Sequence, residues 1–141
     1  MSLSVGAITV DVEEHFQVHA LAERISRCDW EACESRVEAN TDRILDLFAR
    51  HSVCGTFFTL GWVAERHPEL VRRIVAQGHE LASHGYEHVP VHRQSPEAFQ
   101  TDVGRTKRLL EDVAGVPVAG YRAASFSVTR ETPWVHRILA S

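Results

Sequence analysis

Two short strings in this chain hold the residue types that metal-assisted hydrolysis uses. The first is DVEEH, Asp11 to His15, with Asp11, Glu13 and Glu14 inside four positions. Carboxylates packed this closely repel one another and resist ionisation unless a cation neutralises them, and a divalent metal is one such cation. A solvated acidic turn is the commoner reason for an acidic run taken alone. The second string is SHGYEH, with His84 and His88 four residues apart. On a helical turn that spacing sets both imidazoles on one face, within reach of one ion. Neutral imidazole is a ligand for zinc and other late first-row metals. The pair is not the HExxH zincin signature, because Gly85 follows the first histidine. Nine histidines in 141 residues make a chance pair common. Pro90 should break a helix before His92, which is set aside. A third string, GYRAASFS from Gly120 to Ser127, offers Arg122, which could hold a carboxylate through a bidentate pair. An isolated arginine is more often a surface residue.

These residues need elements to bring them together. Ser4 to Val12 is short, apolar and β-branched and reads as a buried strand. Gly55–Leu60 and His79–Ser83 read as two more, and Val118–Ala123 as a fourth. Glu38–Arg50 carries Ile44, Leu45, Leu47 and Phe48 at helical spacing. Pro68–Gln77 has proline in its first turn and Gly78 just past its end. Ser95 caps a long helix with Leu109, Leu110 and Val113 on its apolar face, ending at Gly115. A last helix is expected over Thr132–Leu139. Alternating strands and helices imply a parallel sheet with right-handed crossovers, and such α/β folds place their chemistry at the carboxyl ends of the strands. Asp11, Glu13 and Glu14 follow the first strand. His84 and His88 follow the third, and Arg122 to Ser125 end the fourth.

Length and composition fit one soluble domain spanning residues 1–141, with 44% hydrophobic and 24% charged residues. A net charge of -4 argues against nucleic acid as a partner, since phosphate binding wants a basic face, and leaves a neutral or cationic glycan open. Cys28, Cys33 and Cys54 are odd in number and fit no zinc-knuckle spacing, so they are expected as reduced thiols. The start, MSLSVGAITVDVEEHF, has neither the basic nor the apolar region of a signal peptide. No apolar run is long enough for a membrane span. The expectation is a chain that begins near Met1 and stays in the bacterial cytoplasm.

The strings ITVDVEEHFQV, GTFFTLGWVAE, HELASHGYEH and GYRAASFSVTRETPW, in this order, resemble the polysaccharide deacetylases of carbohydrate esterase family four. They look most like the exopolysaccharide-associated branch that accompanies bacterial exosortase loci. The resemblance runs from Ala7 to Leu139. It implies a distorted (β/α) barrel that removes N-acetyl groups from an N-acetylated polysaccharide or oligosaccharide. It also implies a divalent metal: zinc first, with cobalt or iron as alternatives. Asp11 matches the family's catalytic base, with Glu13 the first choice and Glu14 the second for the metal-binding acid. His84 and His88 match the metal-binding pair, and Arg122 the arginine that orients the base. The main chain at Ser125 and Phe126 matches the oxyanion and substrate segment. Where the family usually has proline, this chain has Ala124. Family members also continue into further β/α units and a late histidine that acts as general acid. The chain is therefore expected to be the N-terminal half of such a barrel, its open edge covered by an oligomer or a partner. A non-catalytic metal- or carbohydrate-binding remnant and a small-molecule amidohydrolase are the alternative readings.

Overall fold

The computed structural model describes residues 6–141. The expected start of the first strand at Ser4 lies outside them. Three strands form one parallel sheet in the order β1 (Thr9–Val12), β2 (Thr56–Thr59), β3 (Glu80–Ser83). The register pairs Asp11 with Phe58 and Phe58 with Ala82. Five α-helices accompany it: α1 (Val37–His51), α2 (Gly61–Arg66), α3 (Pro68–Ala76), α4 (Pro96–Ala114) and α5 (Trp134–Leu139). The parallel α/β class is as expected. The strands form an open arc, a part of the expected barrel.

The core lies on one face of that arc. Val12, Phe57 and Leu81 point into it and are buried, against Leu45 and Phe48 of α1, Leu70, Val71 and Ile74 of α3, and Leu110 of α4. At roughly 1.5–3 kcal/mol for each large apolar side chain, this burial is the main force holding the helices to the sheet. Thr9, Asp11 and Glu80 face the other way and are exposed. The expected buried β1 is thus corrected. Only Val12 of its four residues is buried, because helices cover one face and β2 one edge. On α1, Leu47 is 46% exposed, so the inward stripe is Val37, Thr41, Leu45 and Phe48, at intervals of three and four.

The expected fourth strand is corrected as well. It reduces to one parallel bridge between Tyr121 and Ser83, with Ser83 N donating to Gly120 O at 2.8 Å and Arg122 N to Ser83 O at 2.9 Å. Side chains of α4 occupy the main chain before it. Val118 N donates to Glu111 at 2.9 Å and Lys107 donates to Val118 O at 2.6 Å. After it, the Arg122 carbonyl turns to His84. The carbonyls of Val118 and Arg122, which a longer ladder would use, are thus engaged elsewhere.

Helix ends follow their sequence signals. Ser95 Oγ accepts from Ala98 N at 3.1 Å, and Gly115 closes α4 with φ of 69°. Helix α2 was not foreseen. It starts at Gly61, where a Cβ would lie 2.4 Å from the Tyr86 ring, so only glycine lets the helix sit against the following loop.

Candidate metal centre

The centre lies at the carboxyl ends of β1 and β3. His84 follows β3 directly, and its main-chain N donates to Thr59 O at 3.0 Å. The segment from His84 to His88 is a loop, which corrects the expected helical turn. Gly85 has φ of 77° and His88 of 57°, and no helix passes through two left-handed residues. The loop still brings the rings together, with centroids 5.1 Å apart. Two amides at the start of α2 anchor it, Gly61 N to Gly85 O at 2.9 Å and Trp62 N to Tyr86 O at 3.0 Å.

His84 Nδ1 lies 2.8 Å from the Arg122 carbonyl oxygen. That contact fixes the proton on Nδ1 and leaves the Nε2 lone pair directed into the cleft. Glu13 Oε2 sits 3.2 Å from His88 Nε2 and 3.9 Å from His84 Nε2. One donor atom from each of Glu13, His84 and His88 lies within 4.8 Å of the others, as a shared ion requires.

Electrostatics give an independent test of fit. Burial, and after it the charge of Asp11, pushes the Glu13 carboxyl up to about 7. Burial and then the neighbouring His84 imidazole push His88 down to about 4. Burial also lowers His84. Glu13 Oε2 is buried with no hydrogen-bond donor. Two neutral imidazoles and a carboxylate lacking a counter-charge are what a divalent cation would satisfy. Three protein ligands would leave it an open position.

Glu14 goes elsewhere. Its fully buried carboxylate accepts from the Ser35 hydroxyl and from Arg36 N at 3.0 Å, tying the β1 loop to the start of α1. The structure thus brings Glu13, and not Glu14, to the histidines. Asp11 is part-exposed, and Arg122 Nη1 donates to its Oδ1 at 2.5 Å. Arg122 Nη2 donates to Thr9 Oγ1 at 2.7 Å, and the guanidinium lies 4.0 Å over the Phe58 ring. Arg122 therefore serves twice: its side chain holds Asp11 and its carbonyl orients His84.

Ser125 and Phe126 line the same cleft of about 210 Å³ as Asp11, Glu13, His84 and His88. Both have positive φ, and Phe126 is 98% exposed. The sequence reading missed Thr9, which fixes the second arm of Arg122, and His19, which also enters the cleft. Nothing in the sequence marks His19 among nine histidines. Thr9 could have been found from its place two residues before Asp11 on the same strand face.

An arginine-held aspartate beside a buried acid and two imidazoles, at the carboxyl edge of a parallel sheet, is a candidate metal-hydrolase centre. Residues 29–139 match the polysaccharide deacetylase family profile. A chitooligosaccharide deacetylase of Bradyrhizobium sp. is 30% identical over 72% of this chain and 44% of its own length. The crystal structure of a candidate polysaccharide deacetylase from Mycobacterium smegmatis superposes with a TM-score of 0.72 at 33% identity, over 95% of this chain and 46% of that one. A CE4 family pseudoenzyme from Bacillus anthracis shares the fold, with a TM-score of 0.68 at 23% identity over 73% of this chain and 36% of its own. The chain belongs to the polysaccharide deacetylase family. It spans less than half the length of the curated relatives it matches.

Proposed function

We propose that this chain carries the metal-and-base part of a hydrolase site that removes N-acetyl groups from the sugars of a polysaccharide. The observation that carries the reading is the convergence of Glu13, His84 and His88 beside the Asp11–Arg122 pair in one cleft. Zinc is the first candidate ion, with cobalt or iron as alternatives, held by Glu13, His84 and His88. Such an ion, when bound, supplies Lewis acidity toward an amide carbonyl and a more acidic water. Asp11 accepts a proton from the attacking water at Oδ2, while Oδ1 stays on Arg122. Arg122 holds the Asp11 carboxylate in orientation. Ser125 and Phe126 line the cleft, and their main-chain amides are the candidate donors to the developing oxyanion.

Two curated relatives point to chitooligosaccharide and peptidoglycan N-acetylglucosamine as substrate classes. An exopolysaccharide, as in the exosortase-associated branch, is the finer version of the same reading. A cytoplasmic location also belongs to the proposal and is supported by three free cysteines. An oligomer or a partner over the free edge of β1 is part of it too, since among the described residues β1 pairs with β2 alone. The second reading is a metal- or carbohydrate-binding remnant without turnover; the fold, shared with a CE4 pseudoenzyme and with deacetylases alike, is compatible with either.

Metal content and acetate release from N-acetylglucosamine oligomers, measured on the same samples, test the proposal. Near-stoichiometric metal is expected, lost in a His84→Ala/His88→Ala variant, with acetate release following it. Metal without release would select the binding remnant. No metal after reconstitution would end the hydrolase reading and the metal-binding form of the remnant.

A further inference from the structure

The histidine loop has a fourth anchor that the proposed chemistry does not use. Asp102 lies on α4, one turn past Phe99, and faces the loop. Both of its carboxylate oxygens are 3.3 Å from one donor, the main-chain N–H of Tyr86. Burial raises its pKa, and the charge of Glu87 raises it further. Arg105, the opposite charge acting on it, lies 3.6 Å over the Tyr86 ring. A half-buried carboxylate whose hydrogen-bond partner is one amide is a poor stabilising device, since desolvation opposes the gain. An apolar residue would pack α4 against the loop at lower cost.

Its location supplies the reason. Tyr86 is midway between His84 and His88, and its main chain is gripped from both sides. Its carbonyl accepts from Trp62 N at 3.0 Å while its N–H is held by Asp102. The phenol donates to Glu65. Gly85 gives the carboxylate room, since a Cβ there would lie 3.1 Å from Asp102 Oδ2. The loop thus passes through left-handed Gly85, a doubly held Tyr86 and left-handed His88. Freeing the Tyr86 amide would let the peptide between the two ligands rotate, and the imidazoles would part.

We propose that Asp102 is a positioning residue for the metal centre, its carboxylate fixing the Tyr86 amide so that His84 and His88 present their Nε2 atoms to one ion. The inference rests on the metal-site reading above. Groups that orient metal ligands are typically worth about 10–100-fold in metal affinity.

The test compares zinc and cobalt dissociation constants, the cobalt absorption spectrum and the melting temperature in wild type, Asp102→Asn, Asp102→Ala and Asp102→Leu. Asparagine keeps an oxygen acceptor for Tyr86 N and should hold zinc affinity within about threefold. Alanine and leucine remove the acceptor and should weaken zinc by about 10–100-fold with altered cobalt bands. Leucine fills the volume, so it stays informative if alanine fails to fold. A folded leucine or alanine variant with unchanged affinity and spectrum would overturn the positioning role, whatever its melting temperature. Absence of metal binding in wild type would instead remove the reading beneath it.

Discussion

The two walls of the cleft are built differently. On the histidine wall, successive residues are tied to other elements: His84 to Thr59 and Arg122, Gly85 and Tyr86 to the start of α2, and Glu87 to Arg27 at 2.7 Å. The arginine wall is tied only at its ends. Arg122 bonds to Ser83 and Asp11, and Ser127 accepts from Val91 N at 2.8 Å through its hydroxyl. Between them Ser125 and Phe126 are exposed and left-handed, a conformation that costs a non-glycine residue roughly 1–3 kcal/mol. On the proposed reading, the wall that carries the two histidine ligands is the more constrained, although His88 Nδ1 itself is buried without a partner, and the wall facing the reacting group is the less constrained.

The largest effect that could break this division belongs to Arg122, which joins the walls. Its carbonyl serves His84 and its guanidinium serves Asp11. Substitution removes the guanidinium's contacts, to Asp11, Thr9 and the Phe58 ring, and leaves the carbonyl. Arg122→Ala should lower acetate release about 100-fold or more, as misplacing a catalytic group by about 1 Å does. Zinc affinity should stay within about threefold, because the carbonyl remains. Arg122→Lys should recover little, since one ammonium cannot bridge Asp11 and Thr9 as the planar fork does. Metal affinity falling in step with release would show that the walls are one unit.

Much of this division could be read from the chain, and what could not has physical causes. Order along the sequence sufficed to set Asp11, Glu13 and His84 at the carboxyl ends of parallel strands, because the α/β pattern dictates it, and Arg122 beside them after a single bridge to β3. The choice between Glu13 and Glu14 was not legible. Side chains alternate across β1 and its extension, but the decision came from a distant partner, the Ser35–Arg36 segment that takes Glu14. The helical spacing of His84 and His88 was a true signal of proximity attached to the wrong backbone. Gly85 carried the warning, since its positive φ is what a loop here needs. The fourth strand failed because Glu111 and Lys107, on another element, claim the main chain of Val118. The misses at Glu14 and at the fourth strand are tertiary contacts overruling a local pattern, while the one at the histidine pair is a local signal passed over.

A smaller effect probes the buried wall through protons. Glu13 is raised to about 7 by burial and by Asp11. Below that pH it carries a proton that must leave before a metal binds, so apparent zinc affinity should fall about tenfold per pH unit below 7. An ordinary carboxylate would show no such loss until about 4.5. His88, lowered to about 4, is already neutral through this window and should add no second proton above that point. The expected slope of log affinity against pH is therefore near one from 7 downward, and Glu13→Gln should flatten it while weakening binding. A slope near two, setting in at about 6.5, would mean that the imidazoles titrate as exposed histidines do and that the wall is open to water.

The smallest expected effect tests the adjustable wall at Ala124, where the family usually has proline. Ala123 has φ of -72° and ψ of 138°, the extended geometry that a residue before proline prefers. Ala124 opens a short 3-10 turn, and its carbonyl is the group in use, accepting from Ser127 N at 3.2 Å and from the Ser127 hydroxyl at 2.5 Å. Proline keeps that carbonyl. Ala124→Pro should therefore stabilise the chain by about 0.4–1 kcal/mol, through fewer unfolded conformations, and raise the melting temperature by a few degrees. Zinc affinity should not move, because the ring lies on the wall that holds no metal ligand. Ala124 is 2% exposed, so the opposite result has a clear meaning as well. A drop in melting temperature would show that packing around this site has closed over the smaller residue. The left-handed Ser125–Phe126 turn would then follow from the missing ring, and its shape would be a feature of this chain and not of its family.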